Sequence, residues 1–134
     1  SGDIEAIDRL WAVKRGEAEP EDLSDVLQVQ LGAFTEVFNR HWFTKVTGRA
    51  VDNVGVEMAS LDHEWMAVTL DGLTDGGETV FEAKHISAFA KPDEVLAKYL
   101  PQLTHAMLVV GVRRAVLSVL FVAAGVSFRT GWLY

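Results

Sequence analysis

Cysteine is absent from the 134 residues, and long apolar runs are absent too. Without cysteine the chain has neither disulfide bonds nor thiolate metal sites, which fits a reducing compartment. The apolar runs 106–110 and 115–126 are too short to cross a bilayer, and the acidic N-terminus lacks the layout of a signal peptide. The sequence therefore predicts a soluble, cytoplasmic protein that does not enter a membrane.

Basic residues are scarce, since Lys and Arg number 12 against 19 Asp and Glu, a formal net charge of −7. This balance counts against a nucleic-acid partner, because phosphate contacts rely on clustered cations. It does not exclude a nuclease, whose site concentrates carboxylates around a metal ion that reverses the local field. The candidates for phosphate contact, which are solvated surface residues by default, are Lys14, Arg15, Lys91, Arg113 and Arg114.

Several other catalytic signatures are also missing. The four histidines have no paired metal spacing, so a zinc site is not expected. There is no phosphate-cradling glycine loop of the Walker type and no G-x-S-x-G nucleophile motif. Hydrophobic residues, by contrast, make up 49% of the chain, which makes a packed interior feasible. Length and composition together predict one domain over residues 1–134.

The spacing of apolar residues predicts the order helix, long helix, three strands, helix, strand, strand. The predicted helices cover 4–13, 23–47 and 94–110, and the predicted strands cover 53–61, 65–70, 79–86, 115–123 and 126–133. We expect the third helix to bend or restart near Pro101. This order predicts an α/β fold with a small mixed β-sheet flanked by helices.

The long helix carries an apolar stripe at a spacing of three or four residues, formed by Leu23, Leu27, Leu31, Phe34, Phe38, Trp42 and Val46. Gly32 lies in the middle of this helix, where it costs stability relative to alanine. We therefore expect it to permit close approach of a strand or a ligand. The four tryptophans are expected to anchor the core.

The most informative stretch runs from Leu70-Asp71-Gly72 through Gly76-Gly77 to Glu82-Ala83-Lys84. If Gly76-Gly77 forms a two-residue hairpin loop, Asp71 lies opposite Glu82, with Cβ atoms roughly 5 Å apart. Two carboxylates so close destabilise a sheet unless a cation neutralises them, and Mg²⁺ favours one or two carboxylates plus waters and phosphates. In the alternative, Asp71 only starts a turn and Glu82 and Lys84 form a solvated strand face.

Lys84 lies one pleat along from Glu82 on the same face, because side chains alternate along a strand. An ammonium group there can orient or deprotonate an attacking water and offset charge in the transition state. Asp71, Glu82 and Lys84 together predict metal-assisted hydrolysis. His85 points to the other face, where it is structural or faces phosphate.

These residues resemble the motif of the PD-(D/E)xK nuclease superfamily, with Leu70 in place of the proline. More specifically, the chain resembles the YqaJ-type viral recombinase exonucleases, relatives of phage lambda exonuclease. Segment 31–36 followed by Asn39 is similar to the first helical motif of that family, and segment 99–102 followed by His105 is similar to its later helix. The resemblance extends from about residue 11 to about residue 123.

The resemblance implies a restriction-endonuclease-like core and DNA cleavage that depends on Mg²⁺ or Mn²⁺. The site residues that it implies are the metal ligands Asp71 and Glu82, the carbonyl of Ala83 as a further ligand, the catalytic Lys84, and the accessory residues Glu36 at the metal and Gln102. It further implies a 5′→3′ exonuclease on duplex DNA ends in phage-type recombination. A single-strand annealing protein as partner and ring-shaped trimers also follow from the resemblance.

Alternatives remain open at two of these residues and for the function. Glu36 would otherwise form an exposed ion pair with Arg40, one turn along the helix. Gln102 would otherwise hydrogen-bond the backbone inside the core. The chain could also be a catalytically inactive nuclease-fold module for DNA binding or assembly, or a small-molecule-binding domain whose acidic hairpin is only surface.

Overall fold

The computed structural model describes residues 2–123, and the side chains of 4–123. Its elements are α1 (Gly2–Lys14), α2 (Leu27–Thr47), β1 (Glu57–Ala59), β2 (Ala67–Thr69), β3 (Gly72–Thr74), β4 (Thr79–Ser87), α3 (Pro92–Val110) and β5 (Arg114–Val122), with a short 3₁₀ turn at Asp75–Gly77. The predicted strand over 126–133 lies outside the described residues.

The described chain divides into two compact units, one up to Leu31 and the other from Gly32 onward. The first unit holds α1 and the segment that leads into α2. The second holds both sheets, α3 and most of α2. All of the predicted site residues lie in the second unit.

The larger sheet has three strands in the order β3-β4-β5. β3 pairs with β4 antiparallel and β4 pairs with β5 parallel, so the sheet is mixed, as the sequence predicts. The parallel pair needs a long crossover, and α3 supplies it between β4 and β5. β1 and β2 form a separate two-stranded antiparallel sheet. The predicted α/β class, with helices beside a small mixed sheet, is confirmed.

The helices α2 and α3 pack on opposite faces of β4, because alternate side chains of a strand point to opposite faces. Phe81 of β4 contacts Phe43 of α2, with ring centroids 5.0 Å apart. On the other face, Val80 packs in a cluster with Ala106 of α3. Strand β4 is therefore the buried centre of the domain, and five of its nine residues are buried in succession.

The apolar stripe of α2 does not face the sheet, contrary to the usual meaning of such a pattern. Phe34, Phe38 and Trp42 are 75%, 52% and 49% exposed. The side that packs on the sheet instead carries Asn39 and Phe43. The physical reason is that β4 and β5 present polar groups toward α2, and these groups need hydrogen-bonding partners that the stripe lacks.

The tryptophans are not core anchors in the described part of the chain, so that prediction was wrong. Trp11, Trp42 and Trp65 are 57%, 49% and 80% exposed. Trp42 stacks on Phe38 instead, with ring centroids 6.1 Å apart, on the side of α2 away from the sheet. Trp132, the fourth, lies outside the described residues.

Helix α3 runs without interruption from Pro92 to Val110, although Pro101 lies inside it and a bend or restart was predicted. The helix ends where Gly111 adopts a left-handed conformation, with φ of 81°. α2 begins at Leu27 rather than at residue 23, since Asp22 and Ser24 form a side-chain-to-backbone turn ahead of it. No helix among residues 2–123 is long and apolar enough to cross a membrane.

Candidate active site

Asp71 lies at a break between two strands. The predicted strand 65–70 is shorter, as β2, and the chain then changes partner: β2 pairs with β1, whereas β3 pairs with β4. Asp71 is the last residue before β3. On the side of β3 that does not pair with β4, Leu73 forms an isolated antiparallel bridge with Asp52. The aspartate is therefore presented at a fixed point at the edge of the sheet.

Gly72, directly after the aspartate, is required by packing. A Cβ atom on this residue would fall on Cγ1 of Val51 and within 3.1 Å of the carbonyl oxygen of Asp52. The glycine of the Asp-Gly pair thus lets segment 51–52 lie against β3. This close contact positions the backbone that carries Asp71.

The predicted alignment of Asp71 with Glu82 agrees with the observed ladder. Gly72 pairs with Phe81 and Thr74 with Thr79, so the next pair in this antiparallel register joins positions 71 and 82. The loop itself is longer than predicted. It contains a 3₁₀ turn at Asp75–Gly77 rather than a two-residue hairpin turn. The register is unchanged, because the extra residues are added equally to both ends of the loop.

Glu82 is a buried carboxylate with two hydrogen-bonding partners on one oxygen. Its side chain is 8% exposed. Lys84 Nζ lies 2.9 Å from Glu82 Oε1, and Gln102 Nε2 of α3 donates to the same oxygen at 2.7 Å. The solvated strand face and the backbone-bonded Gln102 that were held open as alternatives are therefore both wrong.

The backbone of β4 holds Asp71 in place. The N–H of Ala83 donates to Asp71 Oδ2 at 2.9 Å. In a strand, the N–H and C=O of one residue lie along the same edge, so the carbonyl of Ala83 faces the edge where Asp71 lies. Asp71, Glu82 and the Ala83 backbone thus converge at the point where β3 begins and β4 continues.

The electrostatic environment of Glu82 disfavours its charge. Burial raises the pKa of Glu82, and the hydrogen bond and negative charge of Asp71 raise it further, while Lys84 acts against this shift. Two neighbouring carboxylates on one sheet edge repel each other when both are ionised. One ammonium group therefore balances only part of the negative charge at this edge.

Glu36 contributes a third carboxylate from α2. Arg40 Nη1 donates to Glu36 Oε1 at 3.0 Å, so the predicted ion pair does form. Partial burial and the charge of Asp71 raise the pKa of Glu36, against the opposing effect of Arg40 and Lys84. Glu36 is therefore both an ion-pair partner and a neighbour of the site, so the two interpretations are compatible.

A cleft of about 260 Å³ lies between α2 and this edge of the sheet. Its lining residues are Gly32, Thr35, Glu36, Asp71, Ala83, Lys84 and His85. Glu82 and Gln102 are not among them, because they lie toward α3. The cleft thus reaches Asp71 and Lys84 from the α2 side, while Glu82 supports them from the α3 side.

Two further residues position the site. Asn39, only 2% exposed, donates through Nδ2 to the carbonyl oxygen of Ser118 at 2.9 Å and accepts from the Ser118 hydroxyl. This pair joins α2 to β5 one turn from Glu36.

The second of these residues is Tyr99. Lys84 Nζ lies 4.9 Å from the ring centroid of Tyr99 on α3. Both residues occur in the family-like segments, but their partners are too distant in sequence to be deduced.

Of the cations proposed for phosphate contact, the three in the second unit, Lys91, Arg113 and Arg114, do not line this cleft. Lys91 is near Glu94, and Arg15 pairs with Glu17. Arg113 and Arg114 line a different cavity of about 250 Å³, together with residues including Glu78. Among the described residues that line the cleft, the lysine is therefore Lys84, and its ammonium group is paired with Glu82.

The donor set at the sheet edge fits a metal bound by few side chains. Among residues 4–123, no group of three or more His, Cys, Asp or Glu side chains is close enough to hold a metal ion. Asp71 and Glu82 are a contacting carboxylate pair whose mutual repulsion a divalent cation would relieve. Magnesium is suited to such a site, because it is held through one or two carboxylates and keeps several waters.

The fold and this edge define a class of protein, namely a small α/β domain with a nuclease-like core. The chain belongs to the YqaJ-like viral recombinase domain family, because the model of that family matches residues 6–113, well over half of its length. This membership places it among nuclease-like proteins of viral recombination. Searches of curated proteins and of solved structures returned no match.

Proposed function

We propose that this domain is a metal-dependent deoxyribonuclease that hydrolyses phosphodiester bonds at the edge formed by Asp71, Glu82 and Lys84. The observation that carries the proposal is the contact of Lys84 Nζ with Glu82 Oε1 at 2.9 Å, directly beside Asp71. An acid pair beside an ammonium group at one sheet edge is an arrangement that suits metal-assisted hydrolysis. Family membership supports the same reaction class.

Asp71 and Glu82 would hold Mg²⁺ or Mn²⁺, with the carbonyl of Ala83 as a further ligand. When bound, the ion would neutralise the carboxylates and supply positive charge to a phosphate oxygen. Glu36 would act from the α2 side, through a bound water, because its carboxylate is already paired with Arg40.

Lys84 and Gln102 have separate proposed roles. Lys84 would orient or deprotonate the attacking water and offset the charge that develops on the phosphate. The ring of Tyr99 and the carboxylate of Glu82 hold its ammonium group from two sides. Gln102 would fix the rotamer of Glu82 through its 2.7 Å hydrogen bond, so that one carboxylate oxygen stays oriented.

The proposed substrate is linear duplex DNA, digested from its ends in the 5′→3′ direction during phage-type recombination. The proposed setting is the cytoplasm of a bacterial or phage-infected cell, with a single-strand annealing protein as partner and a trimer as the assembly. Family membership is the support for these finer points. Residues 1–134 form one functional domain in this proposal.

The test is digestion of end-labelled linear duplex DNA with Mg²⁺ or Mn²⁺, in parallel with EDTA. Cleavage in metal alone is expected, and Lys84→Ala should reduce it by at least about 100-fold, as the loss of a general acid–base group does. Lys45→Ala is the matched control, because Lys45 is exposed on α2 away from the cleft. The labelled products report the direction of digestion.

A thermal-shift titration with Mg²⁺ provides a second measurement that does not depend on turnover. Ligand binding to the folded state raises Tm, so Mg²⁺ should raise Tm for the wild type and not for Asp71→Asn. Cleavage in EDTA, or equal cleavage by Lys84→Ala and the wild type, would contradict the proposal.

A catalytically inactive DNA-binding or assembly module is the second candidate. It predicts DNA binding without cleavage by a folded wild-type protein. The contacts of Glu82 with both Lys84 and Asp71 weigh against it, because an inactive module does not need two carboxylates and a lysine brought together at one sheet edge. A small-molecule-binding domain would show neither DNA binding nor a Tm response to Mg²⁺.

A further inference from the structure

Besides the cleft, a cavity lies at the end of the larger sheet where β4 and β5 begin. Its volume is about 250 Å³, and the described residues that line it are Glu78, just before β4, and residues 111–114, which lead from α3 into β5. Because β4 and β5 are parallel, both strands begin at this end of the sheet. The cavity shares none of its described lining residues with the cleft at Asp71, so it is a separate place on the domain.

Two adjacent arginines, Arg113 and Arg114, bring positive charge to this cavity. In the described part of the second unit, the other arginines, Arg40 and Arg49, each form an ion pair with a carboxylate. Among the described residues, neither guanidinium group in the cavity has a hydrogen bond or an ion pair, although Arg114 acts at longer range on the charge of Asp75. In a chain with a formal net charge of −7, an arginine pair without a carboxylate partner indicates a position for an anion from another molecule.

The backbone that carries these arginines is fixed at both ends. The N–H groups of Gly111 and Val112 donate to the carbonyl oxygen of Met107, at 2.9 and 3.0 Å, and close the end of α3. Val112 packs against the apolar core between α3 and the sheet. Arg114 then pairs with Thr79 in the ladder of β4 and β5. A ligand bound here does not have to order this backbone, which lowers the entropic cost of binding.

The charges in the cavity suit a phosphodiester group. Each guanidinium presents N–H donors in a planar fork that matches two oxygens of a phosphate. Both arginines are exposed, which leaves these donors open to an approaching ligand. Glu78 brings one negative charge to the same cavity, so the two arginines leave an excess of one positive charge. A phosphodiester carries a single negative charge and matches this excess.

The cavity is close enough to the proposed catalytic edge to meet the same DNA molecule. Arg114 lies opposite Thr79, and Thr79 precedes Glu82 by three residues on β4, which corresponds to about 10 Å. Each strand of duplex DNA carries one phosphate for about every 3.4 Å of helix axis. A duplex at the catalytic edge therefore has further phosphates at distances comparable to that of the cavity.

We infer that Arg113 and Arg114 bind a phosphodiester group of the DNA backbone outside the reacting cleft, and that Glu78 limits the strength of this contact. The inference rests on the proposed nuclease function, and it adds a DNA-binding position that the residues at the catalytic edge do not include. The arginines neutralise a phosphate that is not cleaved. They therefore contribute to affinity and to its salt dependence, and they have no part in the chemical step.

The test is fluorescence anisotropy of a labelled duplex in EDTA at low salt, so that neither a metal ion nor cleavage enters the measurement. Arg113→Ala combined with Arg114→Ala should weaken binding about tenfold, the loss expected when hydrogen bonds to a charged group are removed. The plot of the logarithm of the binding constant against the logarithm of the salt concentration should become less steep by about 0.9, because one phosphate fewer is neutralised. The matched control is Lys45→Ala combined with Lys91→Ala, which removes two exposed positive charges outside the cavity and should leave this slope unchanged.

Two further variants test the geometry and the sign of the charge. Arg113→Lys combined with Arg114→Lys keeps both charges but loses the planar forks, so its affinity should lie between those of the wild type and the double alanine variant. Glu78→Gln removes the opposing charge and should tighten binding, whereas Glu64→Gln, which removes an exposed carboxylate outside the cavity, should not. Tighter binding is a result that misfolding does not produce.

The outcomes separate this inference from the proposed function. Weaker binding with a reduced slope in the double alanine variant, together with tighter binding by Glu78→Gln, supports the phosphate contact even if the wild type fails to cleave DNA with Mg²⁺. That failure would count against the proposed function alone. The contact would be overturned if the double alanine variant matched the double lysine-to-alanine control in affinity and slope. It would also be overturned if Glu78→Gln bound DNA no more tightly than Glu64→Gln.

Discussion

At the scale of single residues, the site is governed by the charge of Glu82. This carboxylate is buried beside Asp71, and burial raises its pKa above the ordinary value of 4.5. Lys84 and Gln102 supply hydrogen bonds to Oε1, but they do not cancel the cost of burying the charge. Such a raised pKa is typical of functional sites, where a charged group is held in a fixed position at a cost in stability.

The cost of burying this charge can be measured from the pH dependence of the free energy of unfolding of the variant Glu82→Gln. Because the pKa is raised in the folded state, the folded protein retains a proton that the unfolded chain has lost, so stability falls as pH rises. The loss begins near 4.5, the ordinary glutamate value, and is complete above the raised pKa. The free energy of unfolding of Glu82→Gln, relative to the wild type, should therefore increase across this window. Urea denaturation at several pH values measures it.

Glu64→Gln is the control for this experiment, because Glu64 is exposed and its replacement should leave the pH dependence unchanged. If the free energy of unfolding of Glu82→Gln, relative to that of the wild type, instead fell between pH 4.5 and neutral pH, the ionised carboxylate of Glu82 would be stabilised by the fold. That result would remove the argument that this edge needs a cation.

At the scale of secondary-structure elements, the short strand β3 holds the aspartate against its partners. Gly72 allows residues 51–52 to approach β3, and the N–H and C=O of Leu73 both bond to Asp52. Thr74, at the end of β3, has a buried hydroxyl with no hydrogen-bond partner among the described residues. Strand β3 has only three residues, so its position is fixed mainly by contacts with the neighbouring backbone of residues 51–52.

Gly72→Ala should destabilise the domain by about 1–3 kcal/mol, the range for overpacking a closely packed site. The displaced strand would also carry Asp71 away from Ala83, so metal-dependent cleavage should fall as well. Gly32→Ala, the same substitution in an open part of α2, should stabilise by up to about 1 kcal/mol. Chemical denaturation of both variants shows whether each substitution lowers or raises the free energy of unfolding. A Gly72→Ala variant as stable as the wild type would contradict the packing argument.

Helix α2 illustrates where a pattern of apolar residues misleads. Phe34, Phe38 and Trp42 follow helical spacing and were expected to mark the packed side, yet they lie on the exposed one. Asn39 and Thr35 lie toward the sheet because Ser118 and His85 offer them hydrogen bonds. Polar pairs of this kind help to define the orientation of a helix, because their hydrogen bonds are formed only when that side of the helix faces the sheet.

At the scale of the whole molecule, the charge distribution limits DNA binding. The chain carries a formal net charge of −7, and both Lys84, which lines the cleft, and Arg40 on α2 are paired with glutamates. Phosphate neutralisation by Lys and Arg is the main source of affinity for DNA without sequence preference. Because the lysine of the cleft is already paired with Glu82, we expect affinity at the cleft to come from a bound metal ion and from neutral hydrogen-bond donors.

The domain should therefore bind duplex DNA weakly in EDTA, with a dissociation constant at or above the range of about 10⁻⁴–10⁻⁶ M for nonspecific binding at physiological salt. Mg²⁺ should tighten binding by Lys84→Ala, which does not cleave in the proposed mechanism. Anisotropy titrations over a range of salt concentrations measure both effects. Tight binding in EDTA at physiological salt would count against a metal-centred site.

Much of the site follows from local sequence. The alternation of side chains placed Glu82 and Lys84 on one face of β4, and the glycine pair near the loop put Asp71 opposite Glu82 even though the loop is longer than expected. These relations span few residues, so strand geometry alone specifies them. The α/β class follows in the same way from apolar spacing, but the strand order was only partly predicted, because β3 was not expected and four strands rather than three precede α3.

Tertiary structure decided the contacts between distant segments. Gln102 meets Glu82 across 20 residues, and Thr35 meets His85 across 50. No periodicity encodes such pairs, because they depend on how each helix rotates about its axis when it packs on the sheet. The sequence by itself determined which residues are proposed to carry the chemistry and that Glu82 and Lys84 share one face of β4. Only packing determined which side of α2 is buried, and thereby which groups line the cleft.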